Sequence, residues 1–151
     1  MIEYDGPGDL FRCGTQTIAC PVNAVGVMGA GLAAAFRIKV PGLFEFYRLH
    51  YSAQSGPLHE RERRLRVFEI TPRKKVLLFP TKGDWRKPSR LNLIDANLET
   101  LGDTFVDLGI TSLGLPRIGC GLGKLDWHAS IRPLIYSRFE HHPLPIKLIS
   151  A

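Results

Sequence analysis

Val22-Asn23-Ala24-Val25-Gly26-Val27-Met28-Gly29-Ala30-Gly31-Leu32-Ala33-Ala34-Ala35-Phe36 is a glycine-punctuated turn set between an apolar run and an alanine-rich segment. The run before it, Thr17-Ile18-Ala19-Cys20-Pro21-Val22, has the length of a buried strand. Ala33, Ala34 and Ala35 lose no side-chain entropy in a helix, so the stretch reads as strand, tight loop and helix N-terminus. Gly26, Gly29 and Gly31 let backbone N–H groups turn toward a closely approaching group, and the helix N-terminus adds positive partial charge. A diphosphate suits that combination; a strand-to-helix turn with purely structural glycines is the plainer alternative.

Spacing excludes two familiar phosphate loops. A dinucleotide fingerprint requires G-x-G-x-x-G, whereas Gly26, Gly29 and Gly31 run G-x-x-G-x-G, with no acidic residue ending a second strand about 20 positions on. A P-loop requires Lys followed by Ser or Thr; the nearest approach, Gly123-Lys124-Leu125, has no hydroxyl.

The 151 residues are 44% hydrophobic. A chain of that length buries roughly 70% of its unfolded surface, enough for one domain over residues 1–151 with its own core. No apolar run reaches the ~18 residues of a membrane span and no basic-then-apolar leader opens the chain, so a soluble, cytoplasmic monomer with no membrane partner is expected. Cys13, Cys20 and Cys120 are odd in number and at no metal-ligand spacing; free thiols are expected, and neither a disulfide framework nor a metal site. His141-His142 beside Pro143 reads as a surface turn.

Twenty Lys and Arg against fourteen Asp and Glu give a formal charge of +6 and a pI near 9.5. Such an excess favours anionic partners, nucleic acid or nucleotides. Arg61, Arg63, Arg64 and Arg66 cluster, and Arg73, Lys74, Lys75, Lys82, Arg86, Lys87 and Arg90 follow; a solvated basic face is the alternative reading.

Met1 to Tyr4 can open an edge strand, and Gly6-Pro7-Gly8-Asp9 is a turn in which Asp9 is either a turn-former or a carboxylate offered at the sheet edge. The helix after the glycine loop should run to about Lys39, because Val40 precedes proline, and a second, from Leu43, should end near Tyr51. A loop over Ser52–Pro57 and strands over Leu65–Ile70 and Lys75–Phe79 follow. Ser89 then N-caps a helix whose apolar face is Leu91, Ile94, Leu98, Leu101, Phe105 and Leu108, closed by Gly109. Ile110 to Leu115 is another buried strand, leading into a second glycine-rich turn, Pro116 to Leu125. Asp126 caps a helix from Trp127 to about Phe139, kinked or shortened by Pro133, and Pro145 to Ile149 closes the chain as a strand. This alternation predicts an α/β fold whose largely parallel sheet carries helices on both faces. Both glycine turns and the Lys82 loop leave the carboxyl ends of strands, where such sheets bind ligands, so they can converge.

Gly8-Asp9-Leu10, Val22 to Gly31, and Pro116-Arg117-Ile118-Gly119-Cys120-Gly121-Leu122, in that order, resemble the motifs of macrodomains. The resemblance implies a three-layer αβα fold with a mixed, mostly parallel sheet, binding ADP-ribose as ligand or product and needing no cofactor. By position it implies that Asp9 holds the adenine amino group and that Asn23 faces the distal ribose. Gly26, Val27, Met28, Gly29, Ala30 and Gly31 with Ile118, Gly119, Cys120, Gly121 and Leu122 would wrap the diphosphate, and Leu10, Thr81 and Pro116 would add ligand contacts.

Within macrodomains, Phe79-Pro80-Thr81-Lys82-x-x-Trp85-Arg86-x-x-Ser89 and Gly119-Cys120-Gly121-Leu122-Gly123-x-Leu125-Asp126-Trp127 are similar to the DarG-like branch, related to the terminal ADP-ribose protein glycohydrolase. That likeness implies an antitoxin activity, the removal of ADP-ribose from bases of single-stranded DNA, with a DarT-like toxin as cognate partner. The family's catalytic lysine maps onto Lys82. The protein-directed relative carries aspartate where this chain has Gly123, so a two-residue Lys/Asp mechanism does not transfer, and the DarG pattern also has glycine there.

Cleaving an N-glycosidic bond at the distal ribose develops oxocarbenium-like charge at C1″. Lys82 can serve protonated, helping the base depart, or neutral, attacking C1″; the sequence leaves both open. Asn23 can orient ribose hydroxyls or a water. Asp84 and Asp126 flank the site loops, Asp126 being better explained as a cap. Trp85 among Lys82, Arg86, Lys87 and Arg90 matches stacking plus phosphate contact on single strands, or else a core anchor, and Arg61 to Arg66 would extend that basic track. Removal of ADP-ribose from DNA bases is the leading expectation. A non-catalytic ADP-ribose reader is one alternative, and hydrolysis of protein-linked ADP-ribose or of small ADP-ribose derivatives is the other.

Overall fold

The computed structural model describes residues 1–151. Along the chain run β1 (Ile2–Pro7), β2 (Thr17–Asn23), α1 (Gly31–Lys39), α2 (Leu43–Tyr51), α3 (Leu58–Arg61), β3 (Arg66–Thr71), β4 (Lys74–Lys82), α4 (Leu91–Thr104), β5 (Leu113–Pro116), α5 (Arg132–Phe139) and β6 (Ile146–Ser150). The six strands form one sheet in the order β1-β6-β5-β2-β4-β3. Every neighbouring pair is parallel except β3–β4, an antiparallel hairpin at one edge.

Side chains that alternate along the strands divide the interior into two layers. Ile18, Cys20 and Val22 of β2 and Val76 and Leu78 of β4 pack with Phe36, Leu43, Tyr47 and Tyr51 of α1 and α2. Ala19, Leu77 and Phe79 face the other way, onto Ile94, Leu98 and Leu101 of α4 and Ile135 and Phe139 of α5. The result is the expected α/β/α sandwich.

Its opening is written into the strand pairing. β2 pairs with β4 along its whole length, from Thr17–Lys75 to Asn23–Lys82, but with β5 only at Thr17 and Ile18. Pro21, which has no N–H to leave unsatisfied, lies where β5 has already parted from β2, and Pro80 lies beyond the last β3 pairing of β4, at Leu78. The sheet therefore gapes at the carboxyl ends of its central strands, the edge at which α/β sheets take ligands.

Several local readings need correction. Ser89 is not the N-cap of α4: that position is Arg90, without a side-chain cap, and Ser89 Oγ instead lies 3.2 Å from Thr81 Oγ1. β4 runs on through Pro80 and Thr81 to Lys82, so the lysine ends a strand rather than riding a loop. β5 starts only at Leu113. Leu58–Arg61 is helical, which the Pro57 boundary alone did not reveal. Asp126 does cap, accepting from Ala129 N–H at 2.8 Å. The helix beyond it opens as one π turn, Trp127–Ile131, because Pro133 cannot donate to the preceding turn. His142 is a clasp rather than a surface residue: its ring lies edge-on to Phe105 and Phe139, and its Nδ1 accepts from Leu144 N–H. The three cysteines are unpaired, and no helix is long and apolar enough to cross a membrane.

Leu98 is fully buried between α4 and the sheet, away from the opening. Leu98→Ala is expected to cost about 2–5 kcal/mol of unfolding free energy, read from urea denaturation, through lost burial and a residual cavity. A cost under about 1 kcal/mol would mean that this layer collapses around the gap.

Candidate active site

A crevice of about 1380 Å³ runs along the gaping edge of the sheet. Asp9 and Leu10 line one end, and Asn23 with Val27, Gly29, Ala30 and Gly31 line the middle. Thr81, Lys82 and Trp85 approach from β4, and Pro116, Gly119, Cys120, Gly121 and Leu122 from β5. Four segments far apart in sequence thus meet at one place, and for the two glycine turns and Lys82 their strand-end positions predicted it.

Four of the expected residues do not line it. Met28 is buried with the α1–α2 core and Ile118 with the α4–α5 core, so each anchors its loop from beneath. Gly26 turns with φ of 83° beside the Arg48 side chain. Arg86, expected at the nucleic acid rather than in the crevice, lies outside it with an exposed side chain that makes a two-point bond to Asp84, at 3.0 and 2.7 Å. That bond keeps the Asp84 carboxyl at about 2, so Asp84 stays ionised and has no proton to give near neutrality.

The first glycine loop lines the crevice and leads into the N-terminus of α1. α1 starts at Gly31 with Ala30 as N-cap, and Ala30 has no side-chain oxygen to satisfy the first-turn N–H groups. Uncapped donors and the helix dipole point the same way, a disposition that suits phosphate oxygens. Gly31 has φ of 59°, and a Cβ there would come 3.3 Å from Leu122 Cδ1, so the two glycine loops touch across the crevice through Leu122.

Asn23 is differently employed from the expectation. Its Oδ1 accepts from Val25 N–H at 3.0 Å and lies 2.7 Å from the Tyr47 hydroxyl, and its Nδ2 donates to Val27 O at 2.7 Å. The amide is therefore first a pin for the glycine loop, with one N–H left for a ligand. Ala24 N–H donates to Gly83 O at 2.8 Å, tying that loop directly to the residue after Lys82.

Lys82 ends β4 inside the crevice. Burial lowers its pKa below the ordinary lysine value, and the nearby charge of Lys124 lowers it further. Lys124 is the only non-glycine residue with positive φ, at 66°. Trp85 is 53% exposed at the mouth, which decides against the core-anchor reading. Cys120 is no nucleophile near neutrality, since burial pushes its thiol up to about 11.

The basic run Arg61 to Arg66 is largely tied into the fold by hydrogen bonds, with Arg63 exposed. Arg61 is buried, Arg63 Nε donates to Asn97 Oδ1 at 3.1 Å, and Arg64 donates to the carbonyls of His50 and Ser55 at 2.6 and 2.9 Å. Sequence reasoning missed Phe11, which lines the crevice beside Leu10, and Ser89, which lines it together with Gly123. Ser89 N–H donates to Gly123 O at 3.0 Å. A Cβ on Gly123 would overlap Ser89 Oγ and come 2.6 Å from Gly119 O, so the turn has no room for a side chain there. The serine in the Lys82 motif was the available signal, but its type also fits a helix cap.

The Macro domain family model matches residues 19–134, and the chain belongs to the macrodomain family. It is 35% identical to the DNA ADP-ribosyl glycohydrolase of Mycobacterium tuberculosis over 95% of this chain and 40% of that protein. It superposes on the macrodomain of Mycobacterium tuberculosis DarG with a TM-score of 0.84 at 32% identity, covering 99% of this chain and 97% of that one. Thermosipho africanus DarTG, solved in complex with ADP-ribose, gives a TM-score of 0.83 at 27% identity over 95% of this chain and 40% of that chain. The ADP-ribose glycohydrolase OARD1 of Homo sapiens is 31% identical over 88% of this chain and 81% of that protein. The chain spans about 40% of the length of the mycobacterial and Thermosipho relatives.

Gly123→Ala should destabilise the fold by about 1–3 kcal/mol by forcing the turn off Ser89 and Gly119. Adding Ser89→Ala should recover only part, because the Gly119 carbonyl remains. Gly121→Ala, with nothing within 4 Å of the new methyl, should stay within about 0.5 kcal/mol of the parent. Thermal melts of the four chains measure this, and an unaffected Gly123→Ala protein would show that the turn yields.

Proposed function

We propose that this macrodomain binds ADP-ribose in the crevice and hydrolyses it from bases of single-stranded DNA, with Lys82 as the catalytic residue. The observation that carries the reading is the partly buried, pKa-lowered Lys82 at the sheet end of the crevice, with the exposed indole of Trp85 at the mouth. The names of the mycobacterial and Thermosipho relatives support DNA as the substrate, and the pairing in DarTG supports a DarT-like toxin as functional partner. The glycine at position 123, where the protein-directed branch carries aspartate, supports it too, since the turn there has no room for a side chain.

In this reading the uncapped N-terminus of α1 and the second glycine loop hold the diphosphate, with Asp9 toward the adenine end. Lowered basicity favours the neutral amine of Lys82, which attacks C1″ as the bond to the base breaks; the base leaves with the bonding pair and takes a proton from water. Water then displaces the lysine from C1″, releasing ADP-ribose and restoring the amine. Trp85 stacks on an unpaired base beside the modified one, a contact worth about 1–3 kcal/mol. Lys87 and Lys124, neither of which pairs with a carboxylate, face the strand's phosphates.

The test is release of ADP-ribose from a modified single-stranded oligonucleotide, run beside ADP-ribosylated protein. Lys82→Ala should keep its cooperative melt and lose about 10²-fold or more in kcat. A neutral nucleophile requires kcat/KM to rise with pH through the lowered lysine pKa and then level. Lys124→Ala removes a like charge, raises that pKa and moves the rise to higher pH. A rate that falls through the same range would assign Lys82 the acid role instead. Full activity in Lys82→Ala would remove it from the chemistry. Oligonucleotide affinity should fall steeply with salt, with a log–log slope of about −0.7 per phosphate contact. A flat response would count against a nucleic-acid substrate.

A further inference from the structure

Arg61 is a buried guanidinium, 8% exposed, that pairs with no carboxylate. Its Nε donates to Gly56 O at 2.8 Å, and one terminal nitrogen donates to Tyr51 O at 3.0 Å and to Ala24 O. A charge taken out of water and met only by neutral carbonyls is costly to keep, so its place calls for an explanation other than stability. Ala24, the residue it grips, is the one whose N–H holds Gly83, directly after Lys82. The residues that follow Arg61 grip the same strand from behind. Asn97 Nδ2 donates to both Glu62 O and Pro80 O at 2.9 Å, and Arg90 bonds Glu62 Oε2 at 2.9 Å.

We infer that Arg61 is the positioning residue of the active site: by fixing the Ala24 carbonyl it holds the exit of β2 against the exit of β4, and so sets Lys82 and Asn23 in register before any ligand arrives. A planar fork can serve carbonyls from three segments at once, whereas an ammonium on the same stem cannot reproduce that geometry. Arg61 touches neither crevice nor ligand; it acts through the peptide of Ala24. The kinetic consequence rests on the glycohydrolase reading above, and the structural one does not.

Two measurements on Arg61→Met and Arg61→Lys separate these, with Leu98→Ala as the comparison of reduced stability. In amide hydrogen exchange, Ala24 should exchange about tenfold faster or more in Arg61→Met, while Ile18 to Cys20 of β2 keep their protection. In turnover of ADP-ribosylated oligonucleotide, kcat should fall about ten- to a hundredfold, as a small misplacement of a reacting group does, with KM within about threefold. Arg61→Lys should recover part of both, and Leu98→Ala neither lose kcat nor expose Ala24 selectively. The inference is overturned if Ala24 keeps its protection in both Arg61 variants, if exchange accelerates evenly along β2, or if Arg61→Lys is indistinguishable from the parent. Should Arg61→Met not fold, Arg61→Lys decides by the same readouts. A parent chain that releases no ADP-ribose from DNA refutes the proposed reaction, and the exchange measurement still decides the role of Arg61.

Discussion

Beyond Ile18 the central strand keeps one neighbour and loses the other, and the functional architecture follows from that parting. A parallel sheet ordinarily satisfies both edges of an interior strand, so a strand that runs on with one free edge must spend its remaining donors and acceptors elsewhere. Pro21 removes one donor from the stretch beyond Ile18, the Asn23 side chain turns into the glycine loop, Ala24 N–H extends the pairing with the β4 side to Gly83, and the void between β5 and β2 becomes a lined crevice. The glycine loops are consequences of the same event, since they are the chain's route out of two strands that have diverged.

What stands behind the crevice matters as much as what lines it. Asn23 and Tyr47 form a polar knot beneath the first loop, and the Tyr47 hydroxyl stays protonated because burial drives its pKa upward. Arg61, Asn97 and the Glu62–Arg90 pair form a second support beneath the end of β4. Between them they fix backbone groups of the segments that line the crevice. Lys82 then enters a partly desolvated place already shaped for it, and its lowered pKa is a consequence of that enclosure first and of Lys124 second.

The broad plan was legible because it depends on periodicity and glycine placement. The run Thr17–Val22, the alanines before Phe36 and the apolar face expected from Leu91 to Leu108 each specify an element with little help from the rest of the chain, and those elements lie where expected, except that α4 ends at Thr104 and leaves Leu91 exposed. The convergence of Asp9, the two loops and Lys82 was legible for a related reason: strand ends in an α/β fold share an edge. What was not legible is any role set by partners far along the chain. Arg61 and Arg64 look like surface charge until Ala24, His50 and Ser55 are brought to them. Ser89 has the composition of a cap, and only the approach of Gly123 and Thr81 gives it different work.

The packed turn at Gly123 bears on how such sites diversify. With Ser89 Oγ and the Gly119 carbonyl in the direction a side chain would take, an acidic residue could enter there only by displacing its neighbours. The serine would have to go and the glycine backbone would have to shift at the same time, with every intermediate sequence less stable than its parent. A turn closed around serine and a turn that carries a carboxylate are in that sense separated by a barrier in sequence space.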